Sequence, residues 1–193
     1  MGHLVLERLD RYDLPAAQAL LEACREHFVL TTGRPVSPTA ARALHAQLPD
    51  GVTSANKYLL GLCEPDTREL IGLIDAVAHY PDAETLTVGL LLISPLHAGD
   101  DVVRTACRLV ERWAAERGMR RVRIAVHASS VSVLHFWQTA GFVAEAEPIR
   151  DGRRLMVVFE KRLQSTGPCT RVAPTAASDE FAPPPGWVFY QWR

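Results

Sequence analysis

The chain has 193 residues, 48% of them apolar and 22% charged, with a formal net charge of −1. That length supports one full hydrophobic core and is too short for two comfortable ones, and the composition is that of an ordinary globular protein. Its arginines are scattered, so charge gives no case for a nucleic acid or an anionic membrane surface as partner.

His3 to Arg8 alternates enough to read as a first strand, and charges run through its short apolar stretch, unlike a signal peptide. Asp13-Leu14-Pro15 predicts a helix start with proline in the first turn. Ala16, Leu20, Leu21 and Ala23 carry that helix to about His27, and the loop from Thr31 to Pro38 ends the pattern. Ser37-Pro38 caps a second helix through Leu44 and Leu48, closed by Pro49-Asp50-Gly51.

Lys57 to Cys63 and Glu69 to His79 are strand-like runs joined by a turn at residues 64–68. Thr85 to Ile93 is the next strand, and Gly89 inside it predicts a bulge or a close backbone approach. After Ser94-Pro95 a short loop leads into a long amphipathic helix from about Gly99, closing at Gly118. Val122 to His127 is an apolar strand, a further helix ends in Gly141-Phe142, and Arg153 to Lys161 is the last strand. From Gln164 the chain is rich in proline and small residues, and its last seven residues include two Trp, one Phe and one Tyr. This reads as a linker and an aromatic tail that docks on its own domain or on a partner, a second copy included.

Cys24, Cys63, Cys107 and Cys169 lie far apart, without metal-ligand spacing, and predict separate thiols in a reducing, cytoplasmic setting. No stretch approaches the roughly 18 apolar residues of a membrane span. Asp75 stands in an otherwise apolar strand, where a carboxylate must be either satisfied or functional.

The run from Leu90 to Phe142, LLLISPLHAGDDVVRTACRLVERWAAERGMRRVRIAVHASSVSVLHFWQTAGF, resembles the GCN5-related N-acetyltransferase (GNAT) superfamily. The resemblance covers roughly residues 3–162. It implies an α/β fold with a mostly antiparallel central sheet, a splayed parallel strand pair and flanking helices. It also implies an acyl-CoA-binding domain over residues 1–163, followed by the linker and tail at 164–193. The implied activity is direct acetyl transfer from acetyl-CoA to a primary amine of a small molecule or peptide, with no metal. Two alternatives stand beside it: a GNAT-fold interaction protein without catalysis, and an acyltransferase with a non-acetyl or carrier-bound donor.

The family signature Arg/Gln-x-x-Gly-x-Gly/Ala holds the cofactor diphosphate on backbone N–H groups and the helix N-terminus. Aligned on Pro95, this chain departs from it: Ala98 takes the Arg/Gln position, Asp101 the first key glycine and Val103 the second, while Gly99 survives. Ala98, Gly99, Asp100, Asp101, Val102 and Val103 are thus the expected phosphate-binding stretch. Asp100 and Asp101 complement the helix dipole yet oppose a diphosphate, and Val103 adds bulk. Backbone around Leu91, Leu92 and Ile93 would hold the acyl group, with an N–H near Leu91 or Leu92 meeting the developing oxyanion. Ser130 stands where the family's Asn meets the pantetheine arm, and also at a helix N-cap position. Trp137 replaces the family's Tyr acid, and an indole N–H donates hydrogen bonds without acting as an acid at working pH. Asp75, His79 and Glu84 are the candidate bases. His127, a strand-end histidine, is a further candidate. Thr32 and Arg34, in the loop between the first helices, are the expected acceptor contacts, Arg34 suiting a carboxylate.

Overall fold

The computed structural model describes residues 3–151 and 154–164. β1 (Val5–Arg8) leads to α1 (Leu14–Ala23), α2 (Arg25–Thr32) and α3 (Ala40–Ala46), then a single 3₁₀ turn, Ser54–Asn56. β2 (Lys57–Cys63), β3 (Leu70–Ala78) and β4 (Thr85–Ile93) follow, then α4 (Asp100–Glu116), β5 (Arg121–His127) and α5 (Val131–Thr139). β6 (Val143–Ala144), β7 (Ile149–Asp151) and β8 (Arg154–Arg162) complete the described chain. The strands form one sheet in the order β1-β2-β3-β4-β5-β8-β6, with β7 also on β8. Among the described residues only β4 and β5 pair in parallel. This is the mixed α/β sheet that the sequence implies.

The bounds of β4 coincide with expectation, and α1 starts on Pro15 in its first turn. The first helix differs: it breaks at Cys24 and resumes as α2 as far as Thr32, so the expected loop begins two residues late. β6 and β7 are short additions beside β8 that the sequence pattern does not announce. The aromatic tail lies outside the described residues.

The sheet separates two apolar layers. On one face α4 lays Val103, Ala106, Val110 and Ala114 on Leu91, Ile93, Val122, Ile124 and Val126, with Phe136, Trp137 and Phe142 beside them. Those α4 positions recur at helical spacing, which gives the helix one continuous apolar stripe. On the other face Leu20 and Leu21 of α1 and Leu44 of α3 cover Leu59, Leu73, Leu90 and Leu92. Gly118, at φ +80°, provides the left-handed turn that ends α4.

The expected irregularity at Gly89 is a β-bulge. Asp75 stands opposite Leu90 and Ala76 opposite Val88, so Gly89 has no counterpart on β3. One extra residue shifts the alternation of β4. Val88 faces the α4 layer, as do Leu91 and Ile93, whereas Leu90 and Leu92 face the α1 layer.

Candidate functional site

β4 and β5 are paired only from Thr85–Arg121 to Val88–Ile124. Beyond that point β4 continues to Ile93 and β5 to His127. Each stays held on its outer edge, β4 by β3 as far as Ile93–Gly72 and β5 by β8 as far as His127–Met156. Their inner edges face each other without a ladder.

Alternation identifies the groups lining this gap. The Ser94 N–H donates outward to the Ile71 carbonyl at 2.7 Å. Leu92 therefore also turns its N–H and C=O toward β3, and Leu91 and Ile93 turn theirs into the gap. The Ala128 N–H donates to Leu155 of the β8 strand at 2.8 Å. By the same count Ala125 and His127 turn their backbone groups inward. Leu91 and Ile93 are 2% and 0% exposed, and buried backbone polar groups need partners. The Ile93 carbonyl accepts from the Cys24 thiol at 3.7 Å and the His127 carbonyl from the Ser130 N–H at 3.0 Å, so the inward groups left for an extended guest that carries its own amides are those of Leu91 and the N–H groups of Ile93 and His127.

The N-terminus of α4 follows the open half of β4. Gly99 occupies the N-cap position in extended conformation, with no side chain capping the helix, and the space beside its Cα is open. The two adjacent aspartates separate. Asp101 is exposed, whereas Asp100 is half-buried and keeps Oδ1 buried without a hydrogen-bond partner among the described residues. Val102 and Val103 are 8% and 0% exposed and pack into the core. The bulk expected of Val103 at the phosphate loop is therefore turned away from it. His97 buries Nδ1 in the same loop and places Nε2 4.0 Å from Glu69.

Asp75 lies beside the bulge, 1% exposed. Its carboxylate meets Lys57 Nζ at 2.5 Å, and the lysine side chain is itself 5% exposed. Burial pushes the Asp75 pKa up to about 6, against the opposing pull of Lys57 and, more weakly, of His45. Asp75 is thus a buried carboxylate held in an ion pair, and the sequence pattern does not announce Lys57 as its partner. The only sequence signal is a second charge in an adjoining apolar strand, and its meaning depends on register.

His79 is placed elsewhere. It follows β3 with φ +56°, its Nδ1 2.6 Å from the Ala83 carbonyl, near the paired end of β4 and away from the gap. Glu84 sits at that end too, 3.4 Å from Arg120. Trp137 is 2% exposed and stacks edge-on with Phe136 and Phe142, at 5.3 and 4.7 Å between ring centres. Its ring is part of the aromatic core. Ser130 holds the N-cap position of α5, but its hydroxyl makes no capping bond, so the capping role expected of it is absent. Thr32 is the last residue of α2, followed by Gly33 in left-handed conformation and the exposed Arg34.

The open half of the parallel pair, the α4 N-terminus and the start of α5 thus lie in one region, and His127 is at its rim. No helix among the described residues is long and apolar enough to cross a membrane.

Residues 18–142 match the model of the acetyltransferase (GNAT) family. Among solved structures, an acetyltransferase from Thermus thermophilus aligns over 84% of this chain and 98% of its own, at 25% identity and a TM-score of 0.66. A spermidine N-acetyltransferase from Vibrio cholerae, in complex with CoA and spermine, covers 84% and 96% at 16% identity and a TM-score of 0.63. An aminoglycoside acetyltransferase in complex with coenzyme A covers 84% and 96% at 12% identity and a TM-score of 0.66. The last two are similar in fold. No curated protein sequence matches the chain. With the splayed strand pair, the bulge and the helix N-terminus in their places, the family match settles the affiliation: this chain belongs to the GNAT family of acetyltransferases.

Proposed function

We propose that the protein transfers an acetyl group from acetyl-CoA to a primary amine of a small molecule or peptide, by direct attack within a ternary complex. The observation that carries this reading is the unladdered gap. The inward backbone of Leu91 and the N–H groups of Ile93 and His127 would meet the paired amides of a pantetheine arm, which would fill the gap between β4 and β5. The N–H groups of the first α4 turn, beside the open space at Gly99, would take the diphosphate. In this reading the Leu91 N–H, rather than that of Leu92, meets the oxygen of the thioester as it becomes an oxyanion.

The two known complexes above, with CoA and spermine and with CoA, support a CoA donor and an amine acceptor. The acceptor enters from the α1–α3 side, where Thr32 and Arg34 stand at the end of α2. The Asp75–Lys57 pair holds β3 to β2 level with the bulge. Asp75 therefore positions the oxyanion strand and does not touch the amine. Asp100 favours a second reading, a donor with fewer diphosphate contacts such as a carrier-bound acyl group, because its carboxylate opposes a diphosphate.

Thermal unfolding with millimolar acetyl-CoA, CoA or ADP tests the proposal. Ligand at 100 times its Kd stabilises a fold by about 2.7 kcal/mol. A clear rise in Tm with acetyl-CoA and CoA is expected. No rise with either would end the CoA reading and leave the carrier-bound donor or a non-catalytic role.

A further inference from the structure

We infer that His127, held by Ser129, is the proton donor to the thiolate that leaves during acetyl transfer; this rests on the acetyl-CoA reading above. The last parallel pair is Val88–Ile124. Three residues further along each strand stand Leu91 and His127, and the bulge at Gly89 draws Leu92 toward the same level. His127 therefore faces, across the gap, the backbone assigned to the thioester.

Its side chain lies on the acceptor face. Val122, Ile124 and Val126 point into the α4 layer, so Arg123, Ala125 and His127 point the other way. The register Val77–Thr87–Arg123 places this set on the same face as Asp75.

The ring is fixed at one nitrogen and open at the other. Nδ1 lies 2.7 Å from Ser129 Oγ and accepts from the Ser129 N–H at 3.4 Å. Nε2 has no hydrogen-bond partner among the described residues, and the side chain is partly exposed at the rim. The other charged groups on this face are engaged. Lys57 holds Asp75, and Arg123 is clamped by Glu145 at 2.7 and 3.1 Å, with Glu160 opposite it on β8. His45 on α3 acts on Asp75. Trp137, at the position of the family's acid, is an indole inside the core. Imidazole is the side chain that gives and takes a proton near neutral pH.

The step balances as follows. The amine nitrogen forms a bond to the thioester carbon, and the carbonyl electron pair moves to oxygen. The oxyanion collapses, the C–S bond breaks, and its electron pair leaves on sulfur. The Nε2 proton of the imidazolium passes to sulfur and gives the free thiol. The remaining Nδ1 proton is donated to Ser129 Oγ and displaces the Ser129 N–H, which Nδ1 accepts in the neutral ring protonated at Nε2. The proton lost from the attacking nitrogen returns to Nε2 or to solvent.

The test needs no known acceptor. Full-length wild type, His127→Gln and Ser129→Ala are saturated with CoA, and thiolate ultraviolet absorbance is followed through a pH titration. Calorimetry with CoA and with desulfo-CoA establishes occupancy. An imidazolium beside the sulfur should make the bound thiol ionise about 1–3 pH units lower in wild type than in His127→Gln, with Ser129→Ala between them. His127→Asn, which keeps a polar group toward Ser129, replaces the glutamine variant if that one unfolds. Equal titrations in proteins that bind CoA equally would overturn the assignment of His127. Failure of wild type to bind CoA would instead overturn the reading beneath it.

Discussion

The two halves of the β4–β5 pair share their strands and differ in almost everything else. From Thr85 to Val88 the parallel ladder is closed, and around it lie the His79 turn and the ion pairs of Glu84, Arg120, Arg121 and Asp82. From Leu90 to Ile93 the same strand keeps its antiparallel partner, loses its parallel one and turns a buried inner edge of backbone groups toward the gap. The closed half is completed by its own ladder; the open half is completed only in part, by Cys24 on the Ile93 carbonyl and Ser130 on that of His127. Titratable side chains are thus poor guides to this site, because most of those near β4 cluster where the sheet is already complete.

The largest expected effect probes what holds the open half in place. Lys57→Met leaves the Asp75 carboxylate buried and alone, and should cost about 3–5 kcal/mol in chemical denaturation. The double variant with Asp75→Leu should recover much of that loss. Equal losses in the single and double variants would show that the pair does not anchor the bulge. The pH dependence has a definite sign. A carboxyl pKa raised by folding adds stability that is fully present below about pH 4 and is lost as the pH rises through 6. Asp75→Asn should remove that slope between pH 4 and 6, which denaturation midpoints across the range would reveal.

A middle-sized effect separates core from site. Trp137→Phe should lower stability by about 1–2 kcal/mol through the space it leaves against Phe142, while acetyl transfer at a permissive temperature is retained. A loss of turnover without a loss of stability would return the indole to the chemistry.

The smallest effect sharpens the mouth of the open half. Asp100→Asn should tighten CoA binding about fivefold, since one unit-charge repulsion at ~4 Å is about 1 kcal/mol in water. It should also cost a few tenths of a kcal/mol of helix-dipole stabilisation. Asp101→Asn should leave the Kd nearly unchanged. Equal changes in the two variants by calorimetry would remove the distinction between the carboxylates.

Much of this architecture was legible in the sequence. β4 is a nine-residue apolar run closed by Ser94-Pro95, and α4 has an apolar stripe with Gly118 at its end, so both are set by local pattern. The Cys24 break was not legible, because α1 and α2 continue one helical pattern with no proline or glycine between them. β6 and β7 are too short for any periodicity. In the site, the gap and the bulge could be read, but the separation of Asp100 from Asp101 could not. Neighbours on a helix differ by about 100° in direction, and which one turns inward depends on how α4 sits on the sheet. The Lys57–Asp75 pair needed a register that the hairpin turn alone does not give. The indole of Trp137 suits either a hydrogen-bond donor or a packing role, and its contacts with Phe136 and Phe142 place it in the core.

Gly89 carries one consequence beyond shape. Because it adds one to the count along β4, it decides which amides open into the gap and which side chains lie beneath the helices. Were Gly89 instead paired in turn with β3, the two sets would exchange, so that Leu92 rather than Leu91 would present its N–H to a guest, with no side chain there altered. The address of the central hydrogen-bond donor is therefore written in arithmetic, and a comparison that scores residue identity while ignoring single insertions would pass over it.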